Sequence, residues 1–378
     1  MPAERPLRIG ITCYPSVGGS GILASELGEE LAARGHEIHF ISYEQPFRMP
    51  AGPRVFFHPV TVNRYDLFKY PDYTLPLSVK MAEVSHDHRL DVLHVHYAVP
   101  HATAAVLARS MLHQKHRLRI ITTLHGTDTT LLGRDPGYGP AIRHALEHSD
   151  AITTVSEFMR AETVRLLGVR RPIEVIHNFF EPHPAARSRA EVRRELGLAD
   201  GEALLLHLSN LRKLKRIDLL LATVARLERR TGFKLVILAG DDFAPFAADV
   251  RRLGLADRVV VRERVTAIED YLEAADLGLF TSESESFCLS ILELMSVGCP
   301  SAAFAVGGIP EVTLAGETGL LLPFGDTAAL ALAVQALLAD PARRAALGRA
   351  GQQRARARFS AAAIVPRYEA LYRRVCAG

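Results

Sequence analysis

Leu277-Gly-Leu-Phe-Thr-Ser-Glu-Ser-Glu-Ser-Phe-Cys-Leu-Ser-Ile-Leu-Glu293 is the stretch that decides the fold of this chain. Its apolar start, which ends at Phe280, predicts a buried parallel strand, and the apolar spacing from Leu289 to Val297 predicts a helix that stops before Gly298. A strand, a polar loop and a helix in this order are typical of one unit of an α/β sheet. The loop should therefore lie at the carboxyl end of a strand, where open sheets of this kind bind ligands.

Two glutamates stand in this stretch, one in the loop and one in the predicted helix. Glu285 would lie at the strand's carboxyl end, and Glu293, two turns into the helix, would still point toward the same edge. The free N–H groups that open the helix can bind oxygen atoms. Both carboxylates suit the binding of a sugar nucleotide, although an isolated pair of this kind is more typical of solvated charges beside a helix.

The same alternation of apolar strand, polar loop and amphipathic helix recurs along the whole chain. This pattern predicts an α/β fold of two doubly wound, Rossmann-like domains. The predicted strands of the first half are Leu7 to Thr12, Glu37 to Ser42, Val92 to His96, Arg119 to Leu124, Ala151 to Val155 and Ile173 to Ile176. Those of the second half are Leu204 to Ser209, Lys234 to Ala239, Arg258 to Val261, Leu277 to Phe280 and Ser301 to Ala305.

The alternation lapses between Glu181 and Asp200, where a polar segment rich in proline and arginine marks the domain boundary. We therefore predict one domain over residues 1–182 and a second over residues 183–357. Two such domains facing each other would form a deep cleft. The C-terminal helix, residues 358–378, could pack back across the hinge between them.

Composition limits the classes of function. The 378 residues are 48% hydrophobic with a mean hydropathy of +0.08, and no apolar run approaches the roughly 20 residues that span a bilayer. The start of the chain has no signal-peptide segment, so we expect a cytoplasmic protein without stable membrane association. A net charge of +3 is too small to indicate a nucleic-acid partner. Arginines between Arg343 and Arg356 favour a solvated helix face over a membrane-binding one.

Three further loops that follow predicted strands carry chemistry. Gly18 and Gly19 precede a predicted helix and could present backbone N–H groups to an anion, although a plain structural turn explains them too. His125 stands in a loop with a glycine and an aspartate and is a candidate for the active site. Arg212 and Lys215 lie three positions apart at a predicted helix start, where they could neutralise a diphosphate or simply form a basic helix end.

No metal or cofactor site is predicted. Histidines are frequent, but the one pair with helical spacing, His144 and His148, lacks the glutamate of a zinc-protease motif and any evident third ligand. The glycine loop fits neither a dinucleotide fingerprint nor a P-loop.

Taken together, the loops resemble the retaining GT-B glycosyltransferases along nearly the whole chain, most specifically in the glutamate pair and the downstream Gly307-Gly-Ile-Pro-Glu311. The resemblance implies that Glu285 contacts the donor sugar, that Glu293 holds the ribose hydroxyls and that Arg212 and Lys215 bind the phosphates. The catalytic residues it implies are His125, Arg212, Lys215 and Glu285; the donor-binding residues are Gly18, Gly19, Asn210, Phe287, Cys288, Leu289 and Glu293.

Within that family, four first-half segments resemble the enzymes that open bacillithiol biosynthesis: Ile11 to Gly21, Phe68 to Pro71, His96 to His101 and Thr122 to Asp128. This resemblance implies transfer of N-acetylglucosamine from UDP-GlcNAc to L-malate with retention of the α configuration and without a metal. The implied acceptor-binding residues are Ser20, Tyr97, Thr123 and Arg143. Transfer to inositol phosphate or to a lipid, and a non-catalytic sugar-nucleotide sensor, remain alternatives, and the residues leave open whether the chain forms a homo-oligomer.

The chain departs from the pattern of the family at three places. Ser209-Asn210 stands where Gly-Arg is usual, Cys288 replaces the usual glycine after Phe287, and Asp241 to Pro245 stands where Gly-Asp-Gly-Pro is usual. A cysteine is tolerated at position 288 if its backbone φ is negative.

Overall fold

The computed structural model describes residues 5–15, 19–62, 72–113, 116–228 and 231–378. These divide into two compact units, each described by itself. The first comprises the chain up to Asn178 together with Ala361–Gly378, and the second comprises Phe179–Ser360. The boundaries predicted at 182/183 and 357/358 stay a prediction.

The first unit is an α/β layer structure. Its strands are β1 Arg8–Thr12, β2 Glu37–Ser42, β3 Val55–Pro59, β4 Val92–His96, β5 Arg119–Leu124, β6 Ala151–Thr154 and β7 Ile173–Val175. Its helices before the second unit are α1 Gly19–Ala33, α2 Thr74–Asp87, α3 Thr103–Met111, α4 Thr127–Thr130, α5 Gly139–Glu147 and α6 Glu157–Leu167.

The second unit repeats this arrangement. Its strands are β8 Ala203–Ser209, β9 Phe233–Ala239, β10 Val259–Glu263, β11 Leu277–Phe280, β12 Ser301–Phe304 and β13 Leu320–Leu322. Its helices are α7 Arg189–Glu195, α8 Ile217–Val224, α9 Ala247–Arg252, α10 Glu269–Ala274, α11 Leu289–Ser296, α12 Ile309–Val312, α13 Thr327–Leu338 and α14 Pro341–Arg358. The chain ends with α15 Ala361–Ala377, which belongs to the first unit.

Both sheets are parallel and doubly wound. The first has seven strands in the order β3-β2-β1-β4-β5-β6-β7, and the second has six in the order β10-β9-β8-β11-β12-β13. In each, the order reverses beside the unit's first strand, and ligands of open α/β sheets bind at such switch points. The predicted fold class, two Rossmann-like domains, is confirmed.

Two strands were not predicted, and both lie at the edge of a sheet. In β3 every residue is at least partly accessible, and in β13 all three are half-buried. The central strand β4 is buried at every position. Strand β3 mixes apolar and polar residues on its accessible faces, and β13 has only three residues, too few to be recognised as a strand by periodicity.

The C-terminal helix α15 packs against α1 of the first unit. Tyr368 and Tyr372 are fully buried, and the carboxylate of Glu369 binds both Arg34 at 3.1 Å and His36 at 2.9 Å. The tail therefore completes the core of the first unit. Across the described ranges, no helix combines the length and the apolar character that crossing a membrane requires.

Candidate active site

The loop between β11 and α11 holds a buried ion pair. Lys215 Nζ lies 2.6 Å from Glu285 Oε1, and the hydroxyl of Ser282 donates to the same oxygen at 2.7 Å. Glu285 is only 8% exposed. Both partners follow strands that are neighbours in the sheet, β8 and β11, so the fold brings together residues 70 positions apart.

The charge on Lys215 is maintained by its partner. Burial by itself would lower the pKa of this ammonium, but the adjacent Glu285 carboxylate outweighs burial and raises the pKa above its ordinary value. A fixed, water-poor positive charge of this kind stabilises negative charge that develops on a nearby phosphate.

The glycine turn between β12 and α12 packs directly on the backbone of the Glu285 loop. Gly308 N donates to the carbonyl of Glu285 at 2.9 Å. A Cβ at Gly307 would overlap that carbonyl oxygen, and one at Gly308 would lie 2.9 Å from the carbonyl carbon of Ser286. Only glycines allow this approach, so the turn acts as a support that fixes the loop.

Cys288 does not meet the condition under which a cysteine is tolerated without strain. Its backbone has φ +70° and ψ 72°, in the left-handed region, whereas that condition requires a negative φ. The position keeps the conformation that a glycine would favour, and the thiol is buried. Burial raises the pKa of this thiol well above its ordinary value, so it stays protonated. Strain at a non-glycine residue of this kind often marks a functional loop.

We expect Cys288→Gly to be more stable than Cys288→Ala by about 1 kcal/mol, because only alanine keeps the Cβ that disfavours a left-handed backbone. This order reverses the usual advantage of alanine over glycine. Urea unfolding of the two variants measures the difference. A more stable Cys288→Ala would contradict the left-handed conformation.

The basic segment after β8 differs from its prediction. Helix α8 begins at Ile217, and Lys213–Lys215 form a 3-10 turn before it, so Arg212 and Lys215 do not share the face of an α-helix. Arg212 has an extended backbone and an exposed side chain, whereas Lys215 turns inward to Glu285.

The other predicted donor-binding residues of the second unit lie on the same edge of its sheet. Glu293 is 4% exposed in α11, Leu289 is the first residue of that helix, and the ring of Phe287 packs edge-on against Phe359 at 5.7 Å. Asn210 follows β8 and lies against Gly240. The structure thus brings Lys215, Glu285 and the start of α11 together, while Arg212 reaches toward solvent.

In the first unit, the predicted acceptor-binding residues Ser20 and Tyr97 meet. Ser20 Oγ lies 2.9 Å from the hydroxyl of Tyr97, whose backbone φ of +77° is unusual for a bulky residue. Gly19, the first residue of α1, is exposed, and its neighbour Gly18 lies outside the described residues. Ser20 and Tyr97 therefore stand beside the start of α1, whose free N–H groups favour anions.

Thr123 and Arg143 are placed differently. Thr123 is fully buried, and its hydroxyl lies 2.7 Å from His94 Nε2 and 2.6 Å from the hydroxyl of Thr153. It would have to leave these partners to bind an acceptor directly. Arg143 is exposed on α5.

The half-buried His125 contacts a cluster of histidines whose other members, His96 and His101, are fully buried, and the sequence did not reveal these contacts. Its Nε2 lies 2.8 Å from Nδ1 of His96, and Nδ1 of His101 lies 2.5 Å from the carbonyl oxygen of His96. Nε2 of His96 is buried without a partner among the described residues, so a proton is disfavoured there. The proton of His96 therefore sits on Nδ1 and is donated to His125, which leaves Nδ1–H of His125 as the donor.

Burial keeps these rings neutral. It lowers the pKa of His125 to about 3 and that of His101 to about 4. In the same loop, burial raises the pKa of Asp128 to about 6, although its oxygens accept from the N–H groups of Gly126 at 3.0 Å and Ala98 at 3.2 Å. His125 is therefore suited to donate a hydrogen bond and not to carry a charge near neutral pH.

We expect the free energy of unfolding to fall by at least about 3 kcal/mol between about pH 7.5 and about pH 5.5. Burial depresses the pKa of His94, His96 and His101, so their stabilisation is complete above the unfolded value of 6.5 and is lost on acidification. Asp128 acts oppositely, because its raised pKa makes its contribution fall as pH rises through about 6.

Urea unfolding at the two pH values measures this effect. His101→Gln should reduce the fall by about 1 kcal/mol, since one buried imidazole no longer resists protonation. Equal stability at both pH values would show that these rings are not held neutral.

Two protein-family models identify the class of protein. The family described as Glycosyltransferase Family 4 matches residues 17–183, and the family described as Glycosyl transferases group 1 matches residues 188–354. The chain belongs to this family of GT-B glycosyltransferases and is an enzyme that transfers hexose units. The predicted enzyme class is confirmed.

A particular relative is similar over almost the full length. The N-acetyl-alpha-D-glucosaminyl L-malate synthase of Bacillus anthracis is 42% identical over 369 residues, which cover 97% of this chain and 96% of that enzyme. The D-inositol 3-phosphate glycosyltransferase of Kineococcus radiotolerans is 30% identical and covers 89% of this chain and 86% of its own length.

Solved structures agree on the fold. Sucrose-phosphate synthase from Thermosynechococcus elongatus superposes with a TM-score of 0.82 at 23% identity and covers 98% of this chain and 99% of its own. Anabaena HepE in complex with UDP-glucose gives a TM-score of 0.79 at 18% identity, over 97% of this chain and 99% of that one.

Proposed function

We propose that this chain transfers N-acetylglucosamine from UDP-GlcNAc to the hydroxyl of L-malate with retention of configuration, as the first step of bacillithiol biosynthesis. The observation that carries the proposal is the 42% identity, over 97% of the chain, to a relative that makes GlcNAc-malate. The buried Lys215–Glu285 pair supports it, because it supplies the charge that a sugar-nucleotide transferase needs.

In this proposal the second unit binds the donor. Lys215 and Arg212 face the diphosphate, Glu285 contacts the sugar and Glu293 binds the ribose hydroxyls. Lys215 is held rigidly by Glu285 at 2.6 Å, whereas Arg212 is exposed and adaptable. A rigid cation loses little entropy when the phosphate arrives, which favours stabilisation of the transition state.

Retention of configuration requires the malate hydroxyl to reach the anomeric carbon from the same face that the phosphate leaves. The double-displacement scheme of retaining glycosidases needs a carboxylate against the anomeric carbon, but Glu285 is already bound by both Lys215 and Ser282. We therefore propose a front-face substitution in which a phosphate oxygen of the departing UDP takes the proton of the malate hydroxyl. The Gly18 and Gly19 amides and the two cations stabilise the charge on UDP, and His125 donates a hydrogen bond to the sugar.

The first unit binds the acceptor in this proposal. Malate is a small dianion, so its site needs hydrogen-bond donors and a cation. Ser20 and Tyr97 supply hydroxyls, and Arg143 supplies the exposed cation. The buried Thr123 instead supports Tyr97, whose N–H donates to the carbonyl of Thr123 at 2.9 Å.

We expect Arg143→Ala to raise the KM for malate by about tenfold or more at little change in the KM for UDP-GlcNAc, since an ion pair to a carboxylate contributes about 1.5–3 kcal/mol. Initial rates at varied malate measure it. Arg134→Ala, which removes another exposed arginine from the turn that precedes α5, is the control. An unchanged KM for malate would remove Arg143 from the acceptor site.

Inositol phosphate is the second candidate acceptor, because the relative from Kineococcus radiotolerans is named for it. A phosphate acceptor would need an additional cation in the first unit, for which Lys69 and Lys80 are the candidates. Lys69 lies outside the described residues, and Lys80 is paired with Glu83 at 2.6 Å. The higher identity to the malate synthase, 42% against 30%, favours malate.

The proposal is tested by UDP release from UDP-GlcNAc with L-malate, with inositol phosphate, with a lipid acceptor in vesicles, or with no acceptor. Malate-dependent release is the expected result. Release only with another acceptor would reassign the first unit's site, and no transfer from any donor would favour a sensor. The expected cytoplasmic location, the lack of a nucleic-acid or stable membrane partner, and the oligomeric state stay predictions.

A further inference from the structure

A second polar cluster lies in the first unit on the outer strands of its sheet. Strands β2 and β3 pair in parallel, with His39 opposite Phe56. Because alternate residues of a strand share a face, Glu37 and His39 of β2 lie on the same face as Phe56 and His58 of β3. The C-terminal end of α2, which packs on β2, brings His88 to this face.

The three histidines come close enough to share one ligand. One nitrogen from each of His39, His58 and His88 can be chosen so that all three lie within 4.8 Å of one another. Nδ1 of His39 is 2.9 Å from Nε2 of His58, and the ring centroids of His39 and His88 are 4.4 Å apart. Three imidazoles on a tetrahedral zinc have nitrogens about 3.4 Å apart, so rearrangements of about 1 Å would suffice.

Glu37 sets the proton on the central ring. Its Oε1 lies 2.8 Å from Nε2 of His39, which therefore carries the proton and donates it to the carboxylate. Nδ1 of His39 then presents its lone pair toward His58. A carboxylate bonded to the far nitrogen of a histidine is the arrangement that orients metal-binding imidazoles.

The positive charges near the three rings are neutralised by acidic partners, which favours the binding of a cation. The nearby cations Lys80 and Arg8 are paired with Glu83 and Asp91. His88 directly follows the last turn of α2, where the helix dipole favours positive charge.

The histidine cluster is shielded from solvent on one side and accessible to a metal ion on the other. His39 is fully buried beneath the ring of Phe56, with 5.0 Å between ring centroids, whereas His58 and His88 are half-buried and reachable from solvent. Neutral imidazoles select zinc and its borderline neighbours over calcium or magnesium.

We propose that His39, His58 and His88 bind one zinc-class divalent cation, with water as the fourth ligand, and that the bound metal fastens the edge strand β3 to β2 and to the end of α2. The site is separate from the transferase residues, so this proposal does not depend on the acceptor or donor. It departs from the sequence prediction of no metal site.

The test uses the full chain, stripped of metal and titrated with Co²⁺, whose visible absorption reports tetrahedral coordination. One equivalent should bind with a tetrahedral spectrum, Zn²⁺ should displace it, and Zn²⁺ should raise the melting temperature. His58→Gln and His88→Gln should each remove the tetrahedral signal. Glu37→Gln should weaken binding by about 10-fold to 100-fold while all three ligands remain.

The control is the double variant H144Q/H148Q, which removes a helical histidine pair whose rings are 4.0 Å apart and which could bind metal on its own. It should keep the Co²⁺ spectrum and the zinc-induced rise in melting temperature. Loss of binding in the control, full binding in both single variants, or no saturable binding by the native chain would overturn the proposal. Circular dichroism confirms that each variant is folded, and native-chain stoichiometry remains decisive if one is not.

Discussion

Replacing Lys215 with alanine is expected to lower kcat by about 10²-fold or more. The ammonium is fixed 2.6 Å from Glu285 in a site where little water screens it, so its charge acts strongly on a departing phosphate. Because that charge develops mainly in the transition state, kcat should fall more than the KM for UDP-GlcNAc rises. Steady-state kinetics at saturating malate measure both constants.

The same substitution leaves a buried carboxylate without its cation. Removing one partner of a buried ion pair typically destabilises a protein by about 3–5 kcal/mol, so activity must be compared at temperatures where the variant is folded. Lys213→Ala is the matched control, since Lys213 is exposed in the same 3-10 turn. A kcat of Lys215→Ala equal to that of Lys213→Ala would remove Lys215 from the catalytic site.

Adding a methyl group at the glycine turn is expected to displace the Glu285 loop and lower kcat/KM by about 10²-fold, because a shift of about 1 Å has this effect on positioned groups. Gly308→Ala should also destabilise the fold by about 2 kcal/mol through overpacking against Ser286. Gly307→Ala should be worse by about 1 kcal/mol, since its φ of +56° disfavours any side chain.

Substitution of a third glycine, Gly316, distinguishes the effect of backbone strain from the effect of displacing the Glu285 loop. Gly316 has φ +77°, and a Cβ there would meet nothing within 4 Å. Gly316→Ala should therefore lose about 1 kcal/mol of stability and keep its activity. If Gly308→Ala were as active as Gly316→Ala, the support of the Glu285 loop by this turn would be wrong. Urea unfolding and initial rates decide the point.

The buried part of the fold could be predicted from sequence. The bounds of β4, β5 and β11 agree with their predictions, because central strands of a parallel sheet are apolar on both faces and end at polar loops. The loop with Glu285 was located for the same reason. Strand β3 was missed because it mixes apolar and polar residues, and β13 because three residues are too few to show a period.

Contacts between distant residues could not be predicted. The pairing of Lys215 with Glu285, and of His96 with His125, depends on which strands are neighbours and on side-chain direction. The left-handed backbone of Cys288 was missed because the cysteine itself does not indicate it, although the glycine usual at this position in the family does. The His39 cluster could not be anticipated while β3 was unknown, since His58 lies on that strand.

The anomeric configuration of the product is the most direct test of the proposed transfer to malate with retention. Proton NMR of the product formed from UDP-GlcNAc and L-malate reads the anomeric coupling, and mass spectrometry identifies the conjugate. The account predicts a GlcNAc-malate product whose anomeric carbon is still α, formed in step with UDP. A β-linked product would contradict the front-face mechanism, and free N-acetylglucosamine without a malate conjugate would contradict the proposed acceptor.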